Sequence, residues 1–144
     1  MQHDQIIGKV QALTGLPDRG SAEMATRAVL TTLAERLPSG LTDHVAAQLP
    51  PPLAAPMRQA MDSAAEGAEG PRATSGERFG LTTFAGRIAG RAETDEDAAL
   101  REAAAVLEVL DAALTPELTE KVAAALPKDI GSLLPVARAA EDTR

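Results

Sequence analysis

The sequence predicts an all-α protein built from two tandem helical repeats, each of about three to four helices, packed as a pseudo-symmetric bundle. Three observations predict it. Apolar residues recur with the 3.6-residue period of a buried helix face. Pro and Gly fall between these periodic stretches rather than inside strand-like alternation. The word VAAQLP at 45–50 returns as VAAALP at 122–127, each time at the end of an alanine-rich run.

Taken in order, MQHDQIIGKV reads as a short leading helix. In SAEMATRAVLTTLAERLPSG, residues Ala22, Ala25, Val29, Leu33 and Leu37 share one helical face with Leu30 beside them, whereas Arg27, Glu35 and Arg36 lie mostly elsewhere. Gly20-Ser21 marks its start, with Ser21 as the expected N-cap, and Pro38-Ser39-Gly40 marks its end. The second half repeats the plan in TDEDAALREAAAVLEVLDAALTP, with Ala99, Val106, Leu107, Leu110 and Leu114 as the apolar set. Thr94 to Asp97 reads as a capping box there, Asp standing for the usual Glu. Thr115-Pro116 opens a further short helix, Pro being favoured at the first helical position.

At an offset of 77, Ala28-Val29-Leu30 meets Ala105-Val106-Leu107, Leu33 meets Leu110, Leu37 meets Leu114, and Leu41-Thr42 meets Leu118-Thr119. Upstream the register moves to 78, where Ile6, Gly8, Lys9 and Val10 meet Phe84, Gly86, Arg87 and Ile88. Each six-residue word therefore closes a short helix with a Leu directed to the core, and its Pro stops that helix or opens the next. Residues 1–62 form the first repeat and 79–138 the second. Between them SAAEGAEGPRATSGER, residues 63–78, reads as a flexible linker, and 139–144 as a frayed tail.

Composition narrows the function. The chain of 144 residues has a formal charge of −7 and only Phe79 and Phe84 as aromatics. Residues 1–66 carry 5 basic and 7 acidic side chains and residues 67–144 carry 9 and 14, so neither half is a basic module. A nucleic-acid partner is not expected, because neutralising phosphates requires concentrated cations and stacking platforms. The absence of cysteine removes disulfides, thiol catalysis and thiolate metal sites. No stretch has the length or apolarity of a signal peptide or membrane span, so the expectation is a cytoplasmic protein without a membrane partner.

Candidate chemistry is sparse. The two histidines, His3 and His44, lack ligand spacing, and adjacent Asp43 and His44 do not share a helix face; Asp4 and Glu35 are the remaining donors a metal at His44 would draw on. Glu93, Asp95, Glu96 and Asp97 suit the positive end of a helix better than a calcium loop. Gly8-Lys9 lacks the phosphate-loop pattern, and no strand precedes the glycines of GERFGLTTFAGRIAG. No nucleophile, base and orienter assemble, so no catalytic residue, cofactor or metal is assigned. Arg72, Arg78, Arg87, Arg91 and Arg101 form the densest basic stretch. Arg87 and Arg91, at i and i+4, mark the one face suited to an anionic ligand, against which stands a salt-bridged, solvated face. Ala22, Ala25 and Ala28, with Ala98, Ala99, Ala103, Ala104 and Ala105, offer close-packing faces to the other repeat, or to a second copy or partner helix.

The segments IIGKV and TFAGRI, ATRAVLTTLAERL and AAAVLEVLDAAL, and LTDHVAAQLP and LTEKVAAALP together resemble the bacterial domain-of-unknown-function family 2267, over nearly the whole chain. The resemblance implies an all-helical fold of two related units and carries no catalytic residues with it. Ala125 stands where that family often has Gln, and Pro50-Pro51-Pro52 replaces charged residues. The expected function is a non-enzymatic protein-interaction module, acting on a protein partner or by self-association. The alternative is a binder of a small apolar or anionic ligand in the crevice between repeats, near Arg87 and Arg91.

Overall fold

A computed structural model describes residues 1–67 and 79–134, and among these residues the secondary structure is helical throughout. The elements are α1 (His3–Thr14), α2 (Arg19–Arg36), α3 (Ser39–Ala47), α4 (Pro51–Gly67), α5 (Leu81–Ala92), α6 (Glu96–Ala113), α7 (Pro116–Ala125) and α8 (Lys128–Gly131). No strand occurs among the described residues. Helix α4 extends to Gly67 and so takes up the first five residues of the glycine-rich stretch; residues 68–78 and the tail lie outside the described residues.

Local chemistry sets the helix ends. The N-cap of α2 is Asp18, not Ser21: the Asp18 carboxylate accepts the Ser21 amide at 2.7 Å, which makes Ser21 the third helical residue. A carboxylate reaches that amide and also complements the helix dipole, so it displaces the hydroxyl from the role. In α6 the cap is Asp95, one residue after the expected Thr94, and it accepts the Ala98 amide at 2.7 Å. Thr115 caps α7 as expected, with Pro116 in the first turn. The two Pro-terminated words behave as punctuation: Leu49 and Leu126 are buried after α3 and α7, Pro51 opens α4, and Pro127 caps α8. Pro56 lies inside α4 and leaves the Pro52 carbonyl without its helical donor.

The closures of α1 and α5 correspond at the offset of 78 but differ in residue. Gly15 ends α1 at φ 72 and Glu93 ends α5 at φ 55, both left-handed. Glycine adopts this conformation freely, whereas a Cβ clashes with the following carbonyl. Glu93→Gly is therefore expected to stabilise the protein by about 1 kcal/mol and Gly15→Ala to destabilise it by a similar amount. Urea titrations of the two variants check both signs, and a destabilised Glu93→Gly would remove the strain argument.

Helix α1 packs on α2 and α6, and α5 packs on α6 and α2, while α2 and α6 touch directly. Helix α4 lies on α2 and α3, α7 bridges α3 and α6, and α8 joins α5 to α7. One hydrophobic cluster results, in which Ile6, Ile7, Leu30 and Leu33 meet Phe84, Ile88, Leu107 and Leu110. The alanine faces are consumed within the chain. Ala22, Ala25, Ala28, Ala99, Ala103 and Ala105 are all buried, and only Ala98 and Ala104 are half-exposed. Small side chains at these positions let α2 and α6 approach their neighbours closely. No helix among the described residues is long and apolar enough to cross a membrane.

Candidate functional site

A polar cluster joins the last turns of α2 to α5. Arg87 and Arg91 stand one turn apart on α5, as their i and i+4 spacing requires, and both reach Glu35 of α2. Arg91 makes a two-pronged contact, Nη1 to Oε1 at 2.6 Å and Nη2 to Oε2 at 2.7 Å. This fork geometry is the strong form of an arginine–carboxylate pair. Arg91 Nη1 also donates to Thr32 Oγ1 at 2.7 Å, and Arg87 Nη1 donates to Glu35 Oε1 at 3.2 Å. Thr32 is itself buried and donates to the Ala28 carbonyl at 2.8 Å, so its hydroxyl is fixed as an acceptor for Arg91.

Phe79 extends the cluster. The Arg87 guanidinium carbon lies 4.2 Å from its ring centroid and that of Arg36 lies 6.0 Å away, while Arg36 Nε donates to the Phe79 carbonyl at 2.9 Å. Partial burial opposes the charge on Glu35. The Arg91 hydrogen bonds and charge, followed by those of Arg87, outweigh that penalty and hold the carboxyl below its ordinary range. The side chains of Glu35, Arg87 and Arg91 keep 21%, 31% and 35% of their exposure, so solvent still screens the cluster.

The two arginines singled out by spacing are thus brought together, and the anion they meet is a carboxylate of the other half of the chain. Glu35 was legible as a polar residue off the apolar face and as a candidate metal donor for His44, but not as the partner of the arginines, and Thr32 was not legible at all. Their partners are 52 to 59 residues away, beyond the reach of helical periodicity.

A second tie spans the halves between α3 and α7. Gln48 Oε1 accepts the Thr115 amide at 2.9 Å, and its Nε2 donates to Thr115 Oγ1 at 3.5 Å. His44 lies exposed beside this tie, in an open cleft of about 290 Å³ that Glu117 and Lys121 line together with Gln48. The other donors considered for a metal at His44 lie elsewhere: Asp43 pairs with Arg58 at 2.7 Å, Asp4 with Arg19, and Glu35 with Arg91. His3 Nε2 lies 2.6 Å from Glu23 Oε1. Among the described residues, no group of three or more His, Asp or Glu side chains is placed to hold a metal ion. In the acidic run, Asp95 caps α6, Glu96 and Asp97 occupy its first turn, and Glu93 closes α5. Arg101 is exposed, and Arg72 and Arg78 lie outside the described residues.

An open groove of about 560 Å³ runs between α2 and α4. Met24, Arg27, Ala28 and Thr31 of α2 form one side, Pro56 and Gln59 of α4 the other, and Arg91 reaches one wall.

Fold and cluster define an all-helical bundle whose main polar network ties one half of the chain to the other. The model of an uncharacterized conserved protein family, DUF2267, matches residues 3–133, and the chain belongs to that family. No curated protein matches the chain.

Proposed function

We propose that this protein is a non-enzymatic helical module whose role is protein interaction in the cytoplasm, with a partner protein or a second copy bound to the outer helix surfaces. The observation that carries the reading is the Glu35 carboxylate held between Arg87 and Arg91. The cationic pair best suited to an incoming anion already has an internal one, and the polar side chains at the junction serve to join the halves. We further infer that the halves are copies of one duplicated unit arranged about an approximate twofold axis. The reciprocal packing of α1 on α6 and α5 on α2, and the direct α2–α6 and α3–α7 contacts, support that arrangement. A bundle tied in this way is a rigid scaffold for exposed side chains.

The competing reading is an anionic ligand that displaces Glu35, and Arg91 favours it by also lining the open groove. Native mass spectrometry of protein recovered gently from its host separates the two. The expected result is a complex with a second polypeptide and no small retained mass. A reproducible small added mass that disappears in Arg87→Ala and Arg91→Ala variants would replace the interaction module by a ligand binder.

A further inference from the structure

Resting on the interaction reading, we propose that the α2–α4 groove docks a short acidic segment of a partner protein, with a partner carboxylate on Arg27 and an adjoining apolar side chain against Met24 and Pro56. The charge on Arg27 is the first support. It lies at the groove, is exposed, and has no hydrogen-bonding or ionic partner among the described residues. Of the other charged groups lining the groove, Arg91 is held by Glu35, and the Glu23 carboxylate lies 2.6 Å from His3 Nε2. A guanidinium offers five donors and a planar fork suited to a carboxylate. The chain's charge of −7 does not forbid an acidic segment, because exposed charges more than about 8 Å apart are screened at physiological ionic strength. Arg27 then acts locally.

The second support is Met24, a large apolar side chain left 44% exposed at the groove. Its flexible thioether adapts to irregular apolar partners. Pro56 faces it across the groove as a rigid buried wall, and Gln59 offers a polar edge able to donate and accept. The groove belongs to the first half alone. At the offset of 77, Arg101 replaces Met24 and Ala104 replaces Arg27, so the second half repeats the fold without repeating these two contacts.

The test places a photo-crosslinking residue, p-benzoylphenylalanine, at Gln59 in the full chain expressed in its own host, and separately at Lys121 on the α3–α7 face. The expected product at position 59 is an adduct with another protein, mapped by mass spectrometry to a segment carrying Asp or Glu beside an apolar residue. Adding Arg27→Glu should lower that yield at least about tenfold, as reversal of a direct charge contact does, while Lys9→Glu on exposed α1 leaves it unchanged. An adduct indifferent to Arg27→Glu, one lacking a carboxylate, or one with a second copy of this chain overturns the proposal. Adducts at 121 with none at 59 overturn the groove and leave the interaction module standing. Absence of adducts at both positions overturns both.

Discussion

Glu35→Ala is expected to destabilise the protein by about 2–3 kcal/mol, which lowers its melting temperature by roughly 6–10 °C. The change removes the acceptor for two arginines and leaves their guanidinium groups facing each other across a partly screened junction. A fully exposed pair would be worth less than about 1 kcal/mol, but the forked geometry and the fixed Thr32 hydroxyl raise the value here. A double-mutant cycle with Arg91→Ala isolates the pair and should return a coupling of about 1–2 kcal/mol. Because the folded Glu35 carboxyl titrates below its ordinary range, its contribution is present above the unfolded-state pKa and is lost as pH falls through the folded value. Urea titrations across that acidic window should show the wild type converging on Glu35→Gln. Parallel curves for the two proteins would mean that the carboxylate does not hold the halves.

Glu102 provides an expectation of opposite sign. It sits on the buried face of α6 with 6% of its surface exposed, and its Oε2 has no hydrogen-bond partner. Burial pushes its carboxyl up, the Arg101 charge pulls it partly back, and Asp95 adds to the rise. Glu102→Leu is therefore expected to stabilise the protein by about 1–3 kcal/mol, the cost of an unsatisfied buried polar group. A raised folded-state pKa means that the protonated side chain favours folding. That contribution is complete below the unfolded carboxylate pKa and fades as pH rises through the folded value. The advantage of Glu102→Leu over wild type should consequently widen from mildly acidic to neutral pH. Chemical denaturation at pH 4 and pH 7 reads this directly, and a destabilised variant at both would indicate that the carboxyl has a partner in solution.

Helices α1 to α3 and α5 to α7, with the core faces of α2 and α6, were legible because helix burial follows a local period, whereas α4, which runs on into the stretch read as linker, and α8 were not separately marked. Val29, Leu33 and Leu37, like Val106, Leu110 and Leu114, announce their buried stripe within a few turns. The Pro-terminated words marked their junctions for the same reason, since a missing amide acts on the nearest turn. Cap identity slipped by one to three residues at Ser21 and Thr94, because Asp18 and Asp95 stand close by and a carboxylate both reaches the third helical amide and complements the dipole. Arg87 and Arg91 stood out by spacing, but their partner did not. Glu35 and Thr32 lie on another helix, and no single-helix pattern reports an angle between two helices. Glu102 gave no signal at all. Its neighbours Ala99, Ala103 and Val106 set the buried face, yet a lone carboxylate at the edge of such a face reads as exposed until the packing of α6 is known.

The measurement that bears most directly on the joined halves is controlled cleavage within residues 68–78. A specific protease site placed in that segment of the full-length protein separates the chain into two fragments after folding. If α1 packs on α6 and α5 on α2 within one core, the fragments should co-elute as one particle with unchanged circular dichroism. They should also unfold in a single transition that weakens in Glu35→Ala. Two separate fragments, each retaining its own cooperative transition, would contradict the shared core and the clamp that closes it.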